Sequence, residues 1–335
     1  MVDCKQMPCH PERNTPLLAL VQSGRYHAHS PCLHCRRRSR PLCELEWIML
    51  TRPIRLIAID IDGTLLDSKF QISQANLDAL RRAHEAGIEI VLGTGRRHKF
   101  ALPIAESLGF DLWLISSNGA VTRSICGESF HQDLLPQTTA LKLSQHMREF
   151  RHHMVLTFDR EGLGAIVCES HQHLYGVIQR WMEKNAPYIE YVDPIDKALT
   201  VDPIQAMFCG PVELMQLALR QLADCDFARE FTVLRTQYDH RDLSILDILN
   251  AGCSKGHALE RWAHHRGISA SEVMAIGDNY NDIEMLTFAG HPVIMGNAAG
   301  DLKLNGWTVT LHNDESGVAA AIDQVLDPKT ASVNA

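Results

Sequence analysis

Ile54-Arg55-Leu56-Ile57-Ala58-Ile59-Asp60-Ile61-Asp62-Gly63-Thr64 is the stretch that decides the fold. An apolar run of strand composition delivers two carboxylates, two residues apart, into a glycine turn. Residues i and i+2 of a strand project to the same side, so Asp60 and Asp62 can face one reacting group. A carboxylate nucleophile splits a hard displacement into two easier ones, while a second carboxyl group protonates the leaving oxygen and then activates water. Gly63 lets the backbone turn tightly enough for main-chain amides to approach a phosphate. The stretch therefore predicts phosphoryl transfer; the plain alternative is an acidic surface turn after a strand.

Outward from this point, strands and helices alternate in the manner of an open parallel sheet. Residues 54–59 form the first strand, Ser73 caps a helix running to about Ala86, and Gly87 stops it. Strands follow at 88–92 and 112–115, the second after a helix ending near Gly109. The pattern resumes with Ser254 capping a helix from Lys255, a strand at 273–276, a helix from about Asn281, and strands at 292–295 and 308–311. Between roughly 134 and 248 the texture changes. Paired strands at 154–158 and 164–168, helices at 175–182 and 212–222, and strands at 205–209, 231–236 and 243–248 predict an α+β insertion after the third strand of the sheet. The expected division is thus a core of residues 51–133 and 249–335, with an insert at 134–248.

At 335 residues the chain has ample length for a buried core, and its composition is that of a globular protein. Net charge is −8, and the first 48 residues carry seven Lys or Arg against four Asp or Glu, leaving the remainder near −11. That balance argues against a nucleic-acid partner. No apolar run approaches the roughly 18 residues of a membrane span, and the N-terminus lacks the basic-then-apolar order of a secretory signal. The expected location is the cytoplasm, with no membrane partner. Residues 1–50 lack periodicity, hold five prolines and a basic cluster at 36–40, and read as a disordered extension. Cys32-Leu33-His34-Cys35 there offers a zinc half-site, but the second pair, Cys4 and Cys9, has the wrong spacing. Met49 stands five residues before the first strand, where translation can also begin.

In an open α/β sheet, ligands bind outside the carboxyl ends of the strands. Asp60 and Asp62 follow strand one, Thr94-Gly95-Arg96 follow strand two, Lys255 opens a later helix, and Gly277-Asp278-Asn279-Tyr280-Asn281-Asp282 follow strand four. The Thr94 hydroxyl and the Gly95 amide suit phosphate oxygens. Lys255 is a compact cation able to offset repulsion between an anionic nucleophile and an anionic substrate. Asp278 adds an oxygen ligand for Mg²⁺, which typically takes one or two carboxylates plus phosphate and water. Taken singly, Thr94 reads equally as a helix cap, Lys255 as a solvated first-turn lysine and Asp278 as a turn former. Their order and placement favour a common site.

The chain resembles the haloacid dehalogenase superfamily, in its Cof-type branch of sugar-phosphatase-like hydrolases with a large cap. The resemblance runs over about 54–326 and includes Ser117-Asn118-Gly119-Ala120, Ser254-Lys255-Gly256 and Met295-Gly296-Asn297-Ala298. It implies a Rossmann-like core with an inserted α+β cap, Asp60 as nucleophile and Asp62 as general acid/base. It further implies Mg²⁺ held by the Asp60 carboxylate, the Asp62 backbone carbonyl and Asp278, with Asp282 in support. Thr94, Gly95 and Lys255 would hold phosphate, and Asn281 would lie near it. Arg96, His98 and Asn118 lie just beyond the phosphate-binding positions, where each reads equally as a contact to substrate or cap and as a structural residue. The expected substrate is a small phosphorylated metabolite, a sugar phosphate or a phosphorylated cofactor. A phosphomutase or phosphotransferase, and a non-catalytic phospho-ligand sensor, are the rival functions. The N-terminal extension, Cys253 and Gly306-Trp307 depart from the family pattern.

Overall fold

The structure, a computed structural model, describes residues 53–326 apart from residues 173, 239 and 240. The zinc half-site, the disorder expected of residues 1–50 and Met49 all lie outside the described residues.

The chain begins with β1 (Leu56–Asp60), α1 (Gln74–Glu85), β2 (Glu89–Gly93), α2 (His98–Glu106) and β3 (Trp113–Ser116). Two short strands, β4 (Val121–Ser124) and β5 (Ser129–Gln132), follow before the chain leaves the sheet. The insert contributes α3 (Gln137–His146), β6 (Met154–Thr157), β7 (Ile166–Cys168), α4 (Tyr175–Asn185), β8 (Ile189–Tyr191), β9 (Gln205–Gly210), α5 (Val212–Ala223), β10 (Phe231–Tyr238) and β11 (Leu243–Asn250). The return adds α6 (Lys255–His265), β12 (Val273–Gly277), α7 (Ile283–Phe288), β13 (His291–Ile294), β14 (Thr308–Val309) and α8 (Gly317–Leu326).

The first sheet has the order β14-β13-β12-β1-β2-β3-β4-β5. Strand β1 pairs in parallel with both β2 and β12, and all five of its residues are buried. Its side chains serve both faces in alternation. Ile57 and Ile59 pack with α1, α2 and α8, whereas Leu56 and Ala58 pack with α6 and α7. From β1 the chain winds outward through β2 and β3, then restarts on the other side through β12, β13 and β14. The direction of winding reverses between β1 and β12, so the loops after these adjacent strands diverge and open a crevice. Asp60 and Asp278 stand at its two lips.

The second sheet, β10-β11-β9-β6-β7-β8, is built entirely from the insert. Met154, Leu156, Phe208 and Leu246 pack against α3 and α5 on one face. Val155, Met207, Cys209 and Ile245 point the other way, where Ile178 and Met182 of α4 and Phe100 of α2 meet them. A small cluster of Ala120, Val121, Ile204, Leu234, Leu249 and Cys253 joins the two sheets, and this gives Cys253 a packing role. Polar contacts extend the seam. Arg123 donates to Asp159 at 2.8 Å, the Arg97 guanidinium donates to the carbonyls of Phe158 and Arg160 at 3.1 Å each, and Lys99 pairs with Glu161.

The structure differs from the sequence expectation at several boundaries. The sheet does not break off at β3: β4 and β5 extend it antiparallel. Their polar sequences, Val-Thr-Arg-Ser and Ser-Phe-His-Gln, carry no clean apolar alternation, and the second suits the edge that β5 forms. The helix expected from Asn281 starts at Ile283, after a 3₁₀ turn over Tyr280–Asp282. The last strand is only two residues long and exposed.

Candidate active site

Asp60 closes β1 and is buried against its neighbours. Lys255, the first residue of α6, is completely buried. A helix N-terminus repels a cation, so this placement requires anionic partners. Lys255 Nζ donates to Asp60 Oδ1 at 2.6 Å and to Asp282 Oδ1 at 2.7 Å. The other oxygen of Asp282 accepts the backbone amides of Asp278 and Asn279 at 3.0 and 3.1 Å, which fixes the loop after β12. Asp278 is held by the Thr64 hydroxyl at 3.1 Å. Gly63 has φ of +88°, and a Cβ there would lie 2.4 Å from Asp278 Oδ2, so only glycine fits between the two loops.

Burial raises the Asp60 carboxyl to about 7; Lys255 opposes this, while Asp282 and Asp62 add to it. Asp278 is raised by burial and by the nearby Asp60 and Asp282. Burial alone would favour neutral Lys255, yet Asp282 and Asp60 hold its ammonium well above the ordinary lysine range. Carboxylate oxygens of Asp60, Asp278 and Asp282 lie within 4.8 Å of one another. With three carboxylates against one lysine, the cluster carries excess negative charge when ionised, and its donors are all hard oxygens. Such a set fits a divalent cation of the Mg²⁺ type.

The profile of the haloacid dehalogenase-like hydrolases matches residues 57–322. The chain belongs to this family. Phosphatase YwpJ of Bacillus subtilis is 32% identical over 295 residues, spanning 82% of this chain and the whole of that protein. The pyridoxal phosphate phosphatase YbhA of Escherichia coli is 30% identical, spanning 80% of this chain and 97% of its own length. A solved haloacid dehalogenase-like hydrolase from Bacteroides thetaiotaomicron superposes with a TM-score of 0.67 at 29% identity, covering 81% of this chain and 99% of that one. Among the described residues no helix is long and apolar enough to cross a membrane.

Within this hydrolase, the remaining expected residues fall around the same crevice. Arg96 grips Asp62 through two bonds, Nε to Oδ2 at 2.7 Å and Nη2 to Oδ1 at 2.5 Å, so it meets the second carboxylate directly. Thr94 is buried, and its hydroxyl accepts the Arg96 amide at 3.1 Å. Gly95 lies against the Asn118 amide, where a Cβ would come within 3.2 Å of Oδ1. Asn118 itself adopts φ of +53° and donates its backbone N–H to Thr94 O at 2.9 Å. Asn281 donates to Asn118 Oδ1 at 2.9 Å. His98 is turned aside, its ring 3.2 Å from Ser124 O.

Three residues of this site escaped the sequence reading. Thr64, inside the opening motif, orients Asp278. Tyr238 of β10 sits in the field of Asp62, Asp278 and Asp60, and burial followed by these charges raises its phenol. Asp247 of β11 is buried, accepts from Asn118 and Gln205 at 2.8 Å each, and is raised by burial to about 7. The strand period of β10 and β11 was the available signal, but a period of two does not say which face turns inward.

Proposed function

We propose that this hydrolase is a Mg²⁺-dependent phosphatase of small phosphorylated metabolites, such as sugar phosphates or phosphorylated cofactors, working through an aspartyl phosphate on Asp60. The observation that carries the proposal is the buried Asp60–Lys255–Asp282 triad beside Asp278, with Asp62 two residues from the nucleophile. The names of similar proteins, among them the pyridoxal phosphate phosphatase YbhA and an HMP-PP phosphatase of Escherichia coli, support the substrate class.

Asp60 attacks phosphorus while the bond from phosphorus to the ester oxygen breaks, and the departing oxygen takes a proton from Asp62, which must first leave its ion pair with Arg96 and take up that proton. The ionised Asp62 then accepts a proton from water, whose oxygen attacks the same phosphorus. Cleavage of the bond to Asp60 releases inorganic phosphate and restores both carboxyl groups. Lys255 fixes the attacking oxygen and offsets its charge. Thr94, Gly95, Asn118 and Asn281 surround the phosphate. Mg²⁺ held by Asp60, Asp278 and the Asp62 carbonyl would neutralise phosphate charge and align it. Residues 134–248 act as the cap, presenting Tyr238 toward the leaving group and excluding water.

Purified protein, assayed over a panel of phosphorylated metabolites, is expected to release free phosphate with Mg²⁺ and none with EDTA. An isomeric sugar phosphate in place of free phosphate would assign a mutase; binding without turnover would assign a sensor.

A further inference from the structure

We propose that Asp247, a residue of the inserted sheet, is a positioning residue that fixes the polarity of a buried amide chain ending at the phosphate-binding loops; this rests on the phosphatase reading above. The chain of bonds runs from the insert into the core. Gln205 Nε2 of β9 donates to Asp247 Oδ1 at 2.8 Å, and Asn118 Nδ2 donates to Asp247 Oδ2 at 2.8 Å. Asn281 Nδ2 then donates to Asn118 Oδ1 at 2.9 Å. Asp247, Asn118 and Asn281 are all buried.

An amide side chain can present either its oxygen or its NH₂ group, whereas a carboxylate only accepts. Each Asp247 oxygen already receives a hydrogen, so the geometry is that of the carboxylate. Asn118 must therefore turn its NH₂ toward Asp247, which points its oxygen toward Asn281, and Asn281 must answer with NH₂. One acceptor-only group thus sets two amides in sequence. Gln205 reveals the strength of this demand: its NH₂ serves Asp247 while its own Oε1 is left buried with no partner. The Asn118 amide lies directly against Gly95, whose backbone N–H is assigned to phosphate, so a flip of Asn118 would change the polarity of that wall. Asp247 also stands on β11, which ends at Asn250 and passes through the short turn of Cys253 into α6 at Lys255, so the insert supplies this orientation from the connection that delivers the site lysine.

Asp247→Asn removes the acceptor-only character, and one of the two incoming NH₂ groups must turn or lose its bond. Asp247→Ser, short enough to admit a water, is the companion variant that avoids an amide clash. The measurements are kcat/KM on p-nitrophenyl phosphate with Mg²⁺ and the Kd of inorganic phosphate with Mg²⁺ by calorimetry. Both are repeated in an Asn118→Ala background. Each Asp247 variant is expected to weaken kcat/KM and phosphate binding by at least about 10-fold in the native background, as for loss of a buried hydrogen bond to a charged group. In the Asn118→Ala background the same change should have less than about 2-fold effect, because the relay is already cut. Equal losses in both backgrounds, or wild-type values in either soluble variant, would overturn the inference. Wild-type protein that binds phosphate without hydrolysing the ester would instead overturn the phosphatase reading and leave the inference to be judged on Kd.

Discussion

Replacing Lys255 by Met probes the charge balance of the site more sharply than any other single change. The ammonium is fully buried and makes two charge-assisted bonds of 2.6 and 2.7 Å, while methionine keeps most of the apolar stem. Removing one partner of a buried ion pair costs about 3–5 kcal/mol, because an uncompensated charge is left behind. Here Asp60 and Asp282 would be stranded, with Asp278 beside them. Protonation limits the cost. Asp60 already stands near 7 with Lys255 lowering it, so its carboxyl rises further in the variant. A carboxyl raised in the folded state stabilises fully below the unfolded aspartate value near 3.9, and that contribution is lost as pH climbs through the folded value. The deficit of Lys255→Met relative to wild type should therefore approach about 3–5 kcal/mol at about pH 8 and be smaller at about pH 5. The shrinkage, roughly 1.4 kcal/mol per pH unit for a proton that only the variant holds, falls above the wild-type Asp60 value of about 7, because below it both proteins carry that proton. Urea titrations of both proteins in EDTA at the two pH values measure it. Equal deficits at both would refute the electrostatic argument and leave only packing; a deficit under about 1 kcal/mol at the higher pH would refute the buried triad.

Three further outcomes follow from the same cluster. With chelator present, wild-type protein should gain stability as pH falls from about 8 to 5.5, since Asp60 and Asp278 hold protons in the folded state. Mg²⁺ at about 100 times its Kd should then stabilise by about 2.7 kcal/mol at the higher pH and by less at the lower, where protons compete, and thermal melts with and without the ion check both. Gly63→Ala places a methyl on a residue with φ of +88° and 2.4 Å from Asp278 Oδ2, so it should destabilise by about 1–3 kcal/mol and weaken the Mg²⁺-induced shift in Tm; an unaltered Mg²⁺ titration would contradict it.

The central elements were legible because local and global signals agree on them. The apolar run into Asp60 could only be a buried central strand, and Ser254 announces the helix that starts at Lys255 by accepting the His257 amide at its first turn. Strand order and the winding reversal between β1 and β12 then explain why Asp60 and Asp278, far apart in sequence, share a crevice. What escaped depends on long-range placement. β4 and β5 are polar strands at the end of the sheet whose identity comes from pairing, β4 with β3 and β5 with β4, rather than from their own pattern. Asp247 and Tyr238 lie on strands whose alternation is plain but whose inward face is decided by α3 and α5 covering the other side. The grip of Arg96 on Asp62 joins loops after two different strands, and neither loop alone announces it.

Phosphate release by Asp60→Asn, measured beside wild type with Mg²⁺ on the best ester of the panel, tests the account most directly. The amide keeps the shape of the carboxylate but cannot form the acyl phosphate, so kcat/KM should fall to the uncatalysed background while the variant stays folded. Wild-type turnover by Asp60→Asn would contradict the assignment of Asp60 as the attacking group and, with it, the mechanism.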